Sequence, residues 1–222
     1  MTRGPQETRA RLLEAATDLF AERGFHGTGV REIALRAGVN VASANYHFGS
    51  KEDLYLEVLR NHFATIRARL AERRAKVSAD ELATLGRDEL VDVLRSRVTT
   101  IVEIFVGPPP SRHARLMLRE LLDPSAALPI AVEEFLRPEV RDSKAILSRL
   151  APGLDDATVE RCVFSMMAPV LYHALARPAL LLMSGREEFP PDFAAELGNH
   201  VTEFSLGGLE RIARAARTAA SR

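Results

Sequence analysis

The stretch that decides the fold is TGVREIALRAGVNVASANYHFGS, Thr28 to Ser50. Ile33, Ala34 and Ala37 give its first half a small apolar face at helical spacing, and Gly38 ends that helix, as a residue without Cβ does. Thr28 stands just before it, where its hydroxyl can cap the free amides of the first turn. Asn40 is placed to cap another short helix, about 41–47. Two short helices joined by a three-residue turn containing glycine make a helix-turn-helix. A segment as short and polar as 41–47 has little stability of its own in water. It needs a scaffold, for which Leu19, Phe20, Ile33, Val39 and Phe48 supply the apolar core.

The neighbouring segments supply the rest of that scaffold. Upstream, Leu12, Ala16, Leu19 and Phe20 form one stripe and predict a helix over about 6–23, with Pro5 suited to its first turn and Gly24 as its stop. Downstream, Ser50, Lys51, Glu52 and Asp53 read as a capping box with Asp in the acidic position. They open a long helix, 51–75, with Leu54, Val58, Asn61, His62, Ile66 and Leu70 near one face. Proline-rich breaks then separate five more helical segments: 88–106, 111–122, a helix or two broken at Pro138 and reaching Leu150, 155–177, and 192–217. An irregular connection is expected between the last two. Ala, Leu, Glu and Arg dominate, and no run of alternating β-branched residues competes with helix. The fold class expected is all-α: a three-helix helix-turn-helix domain (1–50), a connecting helix (51–75) and a C-terminal helical domain (76–222).

Composition narrows the function. Of 222 residues, 46% are apolar and 27% charged, as in an ordinary globular chain. Net charge is zero, but residues 1–76 hold 13 Lys and Arg against 9 Asp and Glu, so a basic first part sits on an acidic remainder. The single cysteine, Cys162, excludes an internal disulfide, is too little for a zinc site, and in its apolar setting reads as a structural thiol. The N-terminus lacks the apolar core of an export signal, and stretches such as PALLLM are too short to span a bilayer. A cytoplasmic protein with no membrane partner is expected. The six histidines are scattered, and no zinc-type pair, phosphate loop or G-x-S-x-G is present, so neither an enzyme nor a metal or other cofactor is expected.

The string FHGTGVREIALRAGV (Phe25 to Val39), followed by YHFGSKEDL (Tyr46 to Leu54), closely resembles the N-terminal domain of TetR-family regulators over about residues 9–60. The resemblance implies some nine helices, a homodimer on a palindromic double-stranded operator, and release from DNA by a small ligand. By family position Tyr46, His47 and Lys51 contact phosphates, with Thr28 and Arg31 holding the neighbouring ones. Base reading falls to Asn40, Val41, Ala42, Ser43 and Asn45. Here NVASANYHF departs from the commoner S-x-G-T-L-Y-Y-H-F, and Asn45 replaces a tyrosine. An asparagine there either pairs bidentately with adenine or serves as an exposed or phosphate-binding amide. Arg3 and Arg9 are candidates for a minor-groove arm, against the plainer reading of solvated charge.

RELLDPS (Arg119 to Ser125), FLRP (Phe135 to Pro138) and the helix bearing Pro169 resemble the C-terminal domain of the CecR-like (YbiH-type) branch of that family. The likeness implies an aromatic or drug-like effector. Pro169 inside a helical run predicts a kink that widens the space beside it. Candidate lining residues are Phe105, His113, Met117, Glu120 and Phe135, with Phe164, Met167, Tyr172 and His173; plain core is the competing reading for most of them. Two apolar stripes are candidates for a dimer interface: Val159, Val163, Met166, Val170 and Ala174, and Phe193, Leu197, Val201 and Phe204. The function expected is ligand-responsive transcription regulation, probed against a rival: an adaptor or coactivator of the same fold that does not bind DNA. The intact YHFGSKEDL string and the basic first part favour DNA.

Overall fold

The computed structural model describes residues 4–73, 75, 77–107 and 112–220, and within these all regular structure is helical. The elements are α1 (Pro5–Arg23), α2 (Val30–Ala37), α3 (Val41–Phe48), α4 (Lys51–Glu72), α5 (Ala79–Thr84), α6 (Arg87–Val106), α7 (Arg112–Leu122), α8 (Leu128–Ala131), α9 (Arg137–Leu150), α10 (Asp156–Leu175), α11 (Arg177–Ser184) and α12 (Phe193–Ala220). The break expected at Pro138 is a π turn, Val132–Leu136, set just ahead of it. Proline brings no N–H to the helical ladder, so it is accommodated in the first turn of α9. The connection expected to be irregular before residue 192 contains α11, with Pro178 in its first turn and Gly185 as its left-handed stop. No single helix among the described residues is long and apolar enough to cross a membrane; α10 and α11 reach that length only together, across a 71° bend.

The chain divides into two compact units, Met1–Thr65 with Arg112–Phe135, and Ile66–Ser111 with Leu136–Arg222. The first therefore takes in α7, which the linear boundary at residue 76 sets apart. In it, α1 buries Leu12, Ala16, Leu19 and Phe20, α2 buries Ile33, Ala34 and Ala37, and α4 buries Leu54, Tyr55, Val58 and Leu59. Phe20 and Tyr55 meet edge to face at 4.7 Å, and Phe25 lies 5.1 Å from Tyr55. Polar bonds then fix α7 to α1. Arg119 donates from Nε to the Ala21 carbonyl at 3.1 Å and from an Nη to that of Glu22, satisfying two carbonyls that the end of α1 leaves open. Arg112 pairs with Glu14 and, at 3.1 Å, with Asp18. The Tyr55 hydroxyl donates to Glu120 Oε2 at 2.6 Å, while the amide and hydroxyl of Ser125 donate to Oε1 at 3.0 Å each. Burial, and then Glu120, raise the Tyr55 pKa well above the usual phenol range.

In the second unit, α6, α9, α10 and α12 share a core that includes Leu94, Val98, Val102, Ile146, Leu147, Val163 and Leu209. Val159, Val163, Met166 and Val170, with Leu197 and Val201, are buried in this core, and Ala174 and Phe193 pack half-buried against it. Those stripes, expected at a dimer interface, are thus used within the chain. Phe204 differs: it is 76% exposed. Cys162 is half-buried, and burial pushes its thiol pKa up, in keeping with a structural role.

In this unit α12 packs closely on α6 at Gly198. A Cβ on Gly198 would lie 2.4 Å from Thr99 Oγ1 and 2.8 Å from its Cα, so only glycine permits this approach. Gly198→Ala is expected to destabilise the protein by about 1–3 kcal/mol, as overpacking does. Urea unfolding followed by circular dichroism measures this; an unchanged midpoint contradicts it.

Candidate nucleic-acid interface

The geometry of the turn begins with Gly29, not Thr28. Gly29 is the N-cap of α2, and its amide donates to Glu32 Oε2 at 3.2 Å. That bond, followed by the pairing of Glu32 with Arg23 at 2.7 Å, holds the Glu32 carboxyl below the usual carboxylate range. Thr28 is 2% exposed, and its hydroxyl donates back to the carbonyls of Gly24 (2.8 Å) and Leu19 (3.2 Å). The expected cap and phosphate contact are therefore corrected: burial removes this hydroxyl from both roles. It ties the turn to the end of α1 instead. Arg31, one residue into α2, is exposed as expected.

Gly38 closes α2 in the left-handed region, φ 64° and ψ 41°, with amide bonds back to Ala34 and Leu35. Asn40 then caps α3, its Oδ1 accepting from the Ser43 amide at 2.7 Å. The cap engages the oxygen that a bidentate adenine contact would also use, which fixes the orientation of the side chain and favours a positioning role for Asn40. Beyond the cap, α3 is two-faced. Ala44 is buried, and Ser43, His47 and Phe48 are half-buried. Val41, Ala42, Asn45 and Tyr46 are exposed, and their 1-2-5-6 spacing places them on one side of the helix. Tyr46 stands furthest out, 83% exposed, with its ring edge to face with His47 at 5.2 Å. The structure thus brings together three of the five expected base-reading positions, Val41, Ala42 and Asn45; Ser43 is turned partly inward and Asn40 is the cap, while Tyr46, expected at a phosphate, shares the face of those three.

Lys51 opens α4 with its Nζ 4.2 Å from the centre of the Phe25 ring, a cation–π contact that fixes the charge near the end of α3. Arg9 is committed elsewhere, paired with Glu57 at 2.7 Å and lying 4.9 Å from the Phe48 ring centre, which favours a structural role over a groove-seeking arm. Arg3 lies outside the described residues. Sequence reasoning passed over Leu35, which is 81% exposed and one turn along α2 from Arg31. Its signal was its absence from the Ile33, Ala34 and Ala37 stripe.

The expected effector residues fall in different settings. In the first unit Met117, Glu120 and Phe135 are buried; Phe135 stacks on Phe63 at 4.1 Å, and both Glu120 oxygens are engaged as described. These are packing and network groups. In the second unit Phe105 and Met167 pack half-buried on the core, and His173 Nδ1 lies 2.7 Å from the Pro169 carbonyl. Phe164 and Tyr172 face outward, so they line no interior space. The His113 side chain lies outside the described residues.

Known proteins match this arrangement. Residues 12–58 match the family of bacterial regulatory proteins of the tetR type, and residues 90–209 match the C-terminal domain of the helix-turn-helix transcriptional dual regulator CecR. A helix-turn-helix transcriptional repressor of Mycobacterium tuberculosis is 33% identical over 168 residues, covering 71% of this chain and 84% of the relative. The dual regulator CecR of Shigella flexneri is 26% identical over 214 residues, 91% of each chain. Among solved structures, a TetR-family transcriptional regulator of Streptomyces coelicolor superposes with a TM-score of 0.66 at 22% identity, over 92% of this chain and 96% of that one. The transcriptional regulator FadR of Bacillus subtilis, in complex with stearoyl-CoA, gives 0.65 at 18% identity, over 90% and 98%.

Removing the cap tests the geometry of α3 directly. Asn40→Ala is expected to weaken the helix by about 1 kcal/mol, roughly fivefold in its opening equilibrium. Hydrogen exchange should quicken at the amides of α3, with Asn40→Asp restoring protection. Equal exchange in all three proteins would contradict the assignment.

Proposed function

This chain belongs to the TetR family of bacterial regulatory proteins, a family of DNA-binding transcription regulators, and we propose that it works as a homodimeric repressor released from a palindromic operator by a small molecule. The observation that carries the reading is the exposed face of α3, where Val41, Ala42, Asn45 and Tyr46 project from a helix too short to stand alone. Such a helix enters the major groove while α2 braces the backbone. Arg31 and Lys51, with Tyr46 and His47, hold phosphates, and Asn45 reads a base edge; Val41 and Ala42 suit a thymine methyl. In this reading residues 1–50 bind DNA, the segment 51–75 connects, and 76–222 carry the effector and dimer functions. The relative from Mycobacterium tuberculosis is named a repressor, and FadR is described with an acyl-CoA bound; both support a repressor that answers to a small molecule.

Dimerisation is assigned to the apolar residues the second unit leaves outside its core. Phe164, Ala168, Tyr172 and Leu175 repeat at helical spacing along α10 and are exposed. On α12, Phe204 is followed by Gly207 and Gly208, where an added Cβ would meet nothing within 4 Å. A two-fold pairing of these faces buries them and places two recognition helices on one duplex. Release requires an effector that binds better to the form whose two recognition helices no longer match the groove spacing. Arg119 gives α7 a direct hold on the end of α1, so movement of α7 loads the scaffold of the helix-turn-helix.

Selection of bound duplexes from a random pool is expected to return a palindrome. Arg31→Ala and Lys51→Ala should each weaken binding to all sequences alike and lower the salt slope by about 1. Asn45→Ala should cost about 1–3 kcal/mol and relax preference at one base pair per half-site. Binding that ignores salt, or a selection with no consensus, refutes the reading. Phe204→Glu is expected to give a folded monomer in sedimentation with weakened operator binding; an unchanged dimer refutes the assigned interface.

A further inference from the structure

Within the second unit, a cleft of about 420 Å³ opens between the chain just past α4, α5 and α9, a volume in the range of small-molecule sites. Arg97 of α6 forms part of its lining although the residue is only 1% exposed. Its guanidinium is shared between two sides. Toward α9, Nε donates to Ser143 Oγ at 3.0 Å, and one Nη donates to the Glu139 carbonyl at 3.1 Å and to the Glu139 carboxylate. Toward the exit of α4, the other Nη donates to the Ala75 carbonyl at 3.3 Å, the longest of these bonds. Val77, Leu82, Ala145 and Ile146 make the walls apolar. Arg141 lines the same space, its side chain largely exposed and 3.6 Å from Asp142, beyond hydrogen-bond length.

We propose that this cleft binds a small amphipathic carboxylic acid as its anion, with the carboxylate on Arg97 and Arg141 and the apolar body against the walls. Glu139 balances one of the two guanidinium charges, and Asp142 holds the other only loosely. A planar guanidinium with an N–H group left on a weak, neutral acceptor suits a carboxylate, because charge-assisted bonds are shorter and stronger than the bond to a carbonyl. The ligand carboxylate takes the place of the Ala75 carbonyl on Nη, and so frees the exit of α4 from Arg97 of α6. Among the described residues, Ser96 Oγ still bonds the Arg73 carbonyl at 2.9 Å and Arg73 still pairs with Glu103 at 2.7 Å. α4 is one helix from Lys51 to Glu72, so its exit is where an effector reaches it most directly. The regulatory consequence rests on the reading of the chain as a ligand-released repressor; the binding assignment rests on the cleft.

Calorimetric titration with octanoate and 4-phenylbutyrate, beside octanol and 4-phenylbutanamide, tests the proposal on the full-length protein. The acids are expected to bind with submillimolar Kd, at least tenfold tighter than their neutral counterparts. Arg141→Ala should weaken the acids at least tenfold and leave the neutral compounds unchanged. Ala145→Phe should fill the cleft and abolish binding while helix content by circular dichroism is kept. This variant is needed because Arg97→Met strands Glu139 without its partner and threatens folding. No binding of either acid, equal binding of acid and neutral compound, or full binding by the filled variant overturns the site. Operator affinity is read in the same samples. Acids that bind through the cleft yet leave operator affinity unchanged sustain the site and refute ligand release, whereas acids that fail to bind overturn the site and leave operator recognition untouched.

Discussion

The recognition of DNA proposed for this chain depends on an eight-residue helix that cannot hold its own shape in water. Eight residues close too few backbone bonds to offset the cost of nucleating a helix. The stability of α3 is therefore lent to it: by the Asn40 cap at one end, by Ala44 buried in the first unit, and by the left-handed turn at Gly38 that sets its direction. The aromatic cluster of Phe20, Phe25 and Tyr55 and the buried hydroxyl of Thr28 serve the same end from behind. What remains exposed on α3, Val41, Ala42, Asn45 and Tyr46, is not needed to bury the helix, and it is the face to which recognition is assigned in the proposal.

The parts of this scheme written in local sequence are legible in the amino-acid sequence alone. The stops at Gly24 and Gly38, the cap at Asn40 and the periodicity of α1 and α2 depend on residues within one turn of each other. Family resemblance then supplied the meaning of the string from Phe25 to Leu54. The errors arose where the deciding partner is distant. A hydroxyl just before a helix usually caps it, and the bond of Thr28 to Leu19, nine residues back, is invisible to that rule. The stripes of α10 and α12 were correctly seen as apolar, but periodicity says that a face is buried and not what buries it. Both helices carry apolar residues on two sides. The chain uses Val163 and Val201 for itself and leaves Phe164 and Phe204 outside.

The effector residues were the least legible. Aromatic and methionine side chains serve equally in a packed interior and in a cavity wall. Phe135, flat against Phe63, and Glu120, with both oxygens engaged, turned out to be internal structure of the first unit. The groups that point to a ligand instead are two arginines that composition alone could not single out among the chain's cations. Arg97 reads as an ordinary polar position in RDELVDVLRSRVTT, and only the fold reveals that it is buried beside open space.

Gly198 also has a mechanical meaning. Where it meets Thr99, the side chain of α6 sits directly against the bare backbone of α12, like a tooth in a notch. One helix cannot slip lengthwise past the other without lifting out of that notch. Arg97 stands two residues before Thr99, so the arginine beside the cleft and the notch that seats α12 belong to one turn of α6.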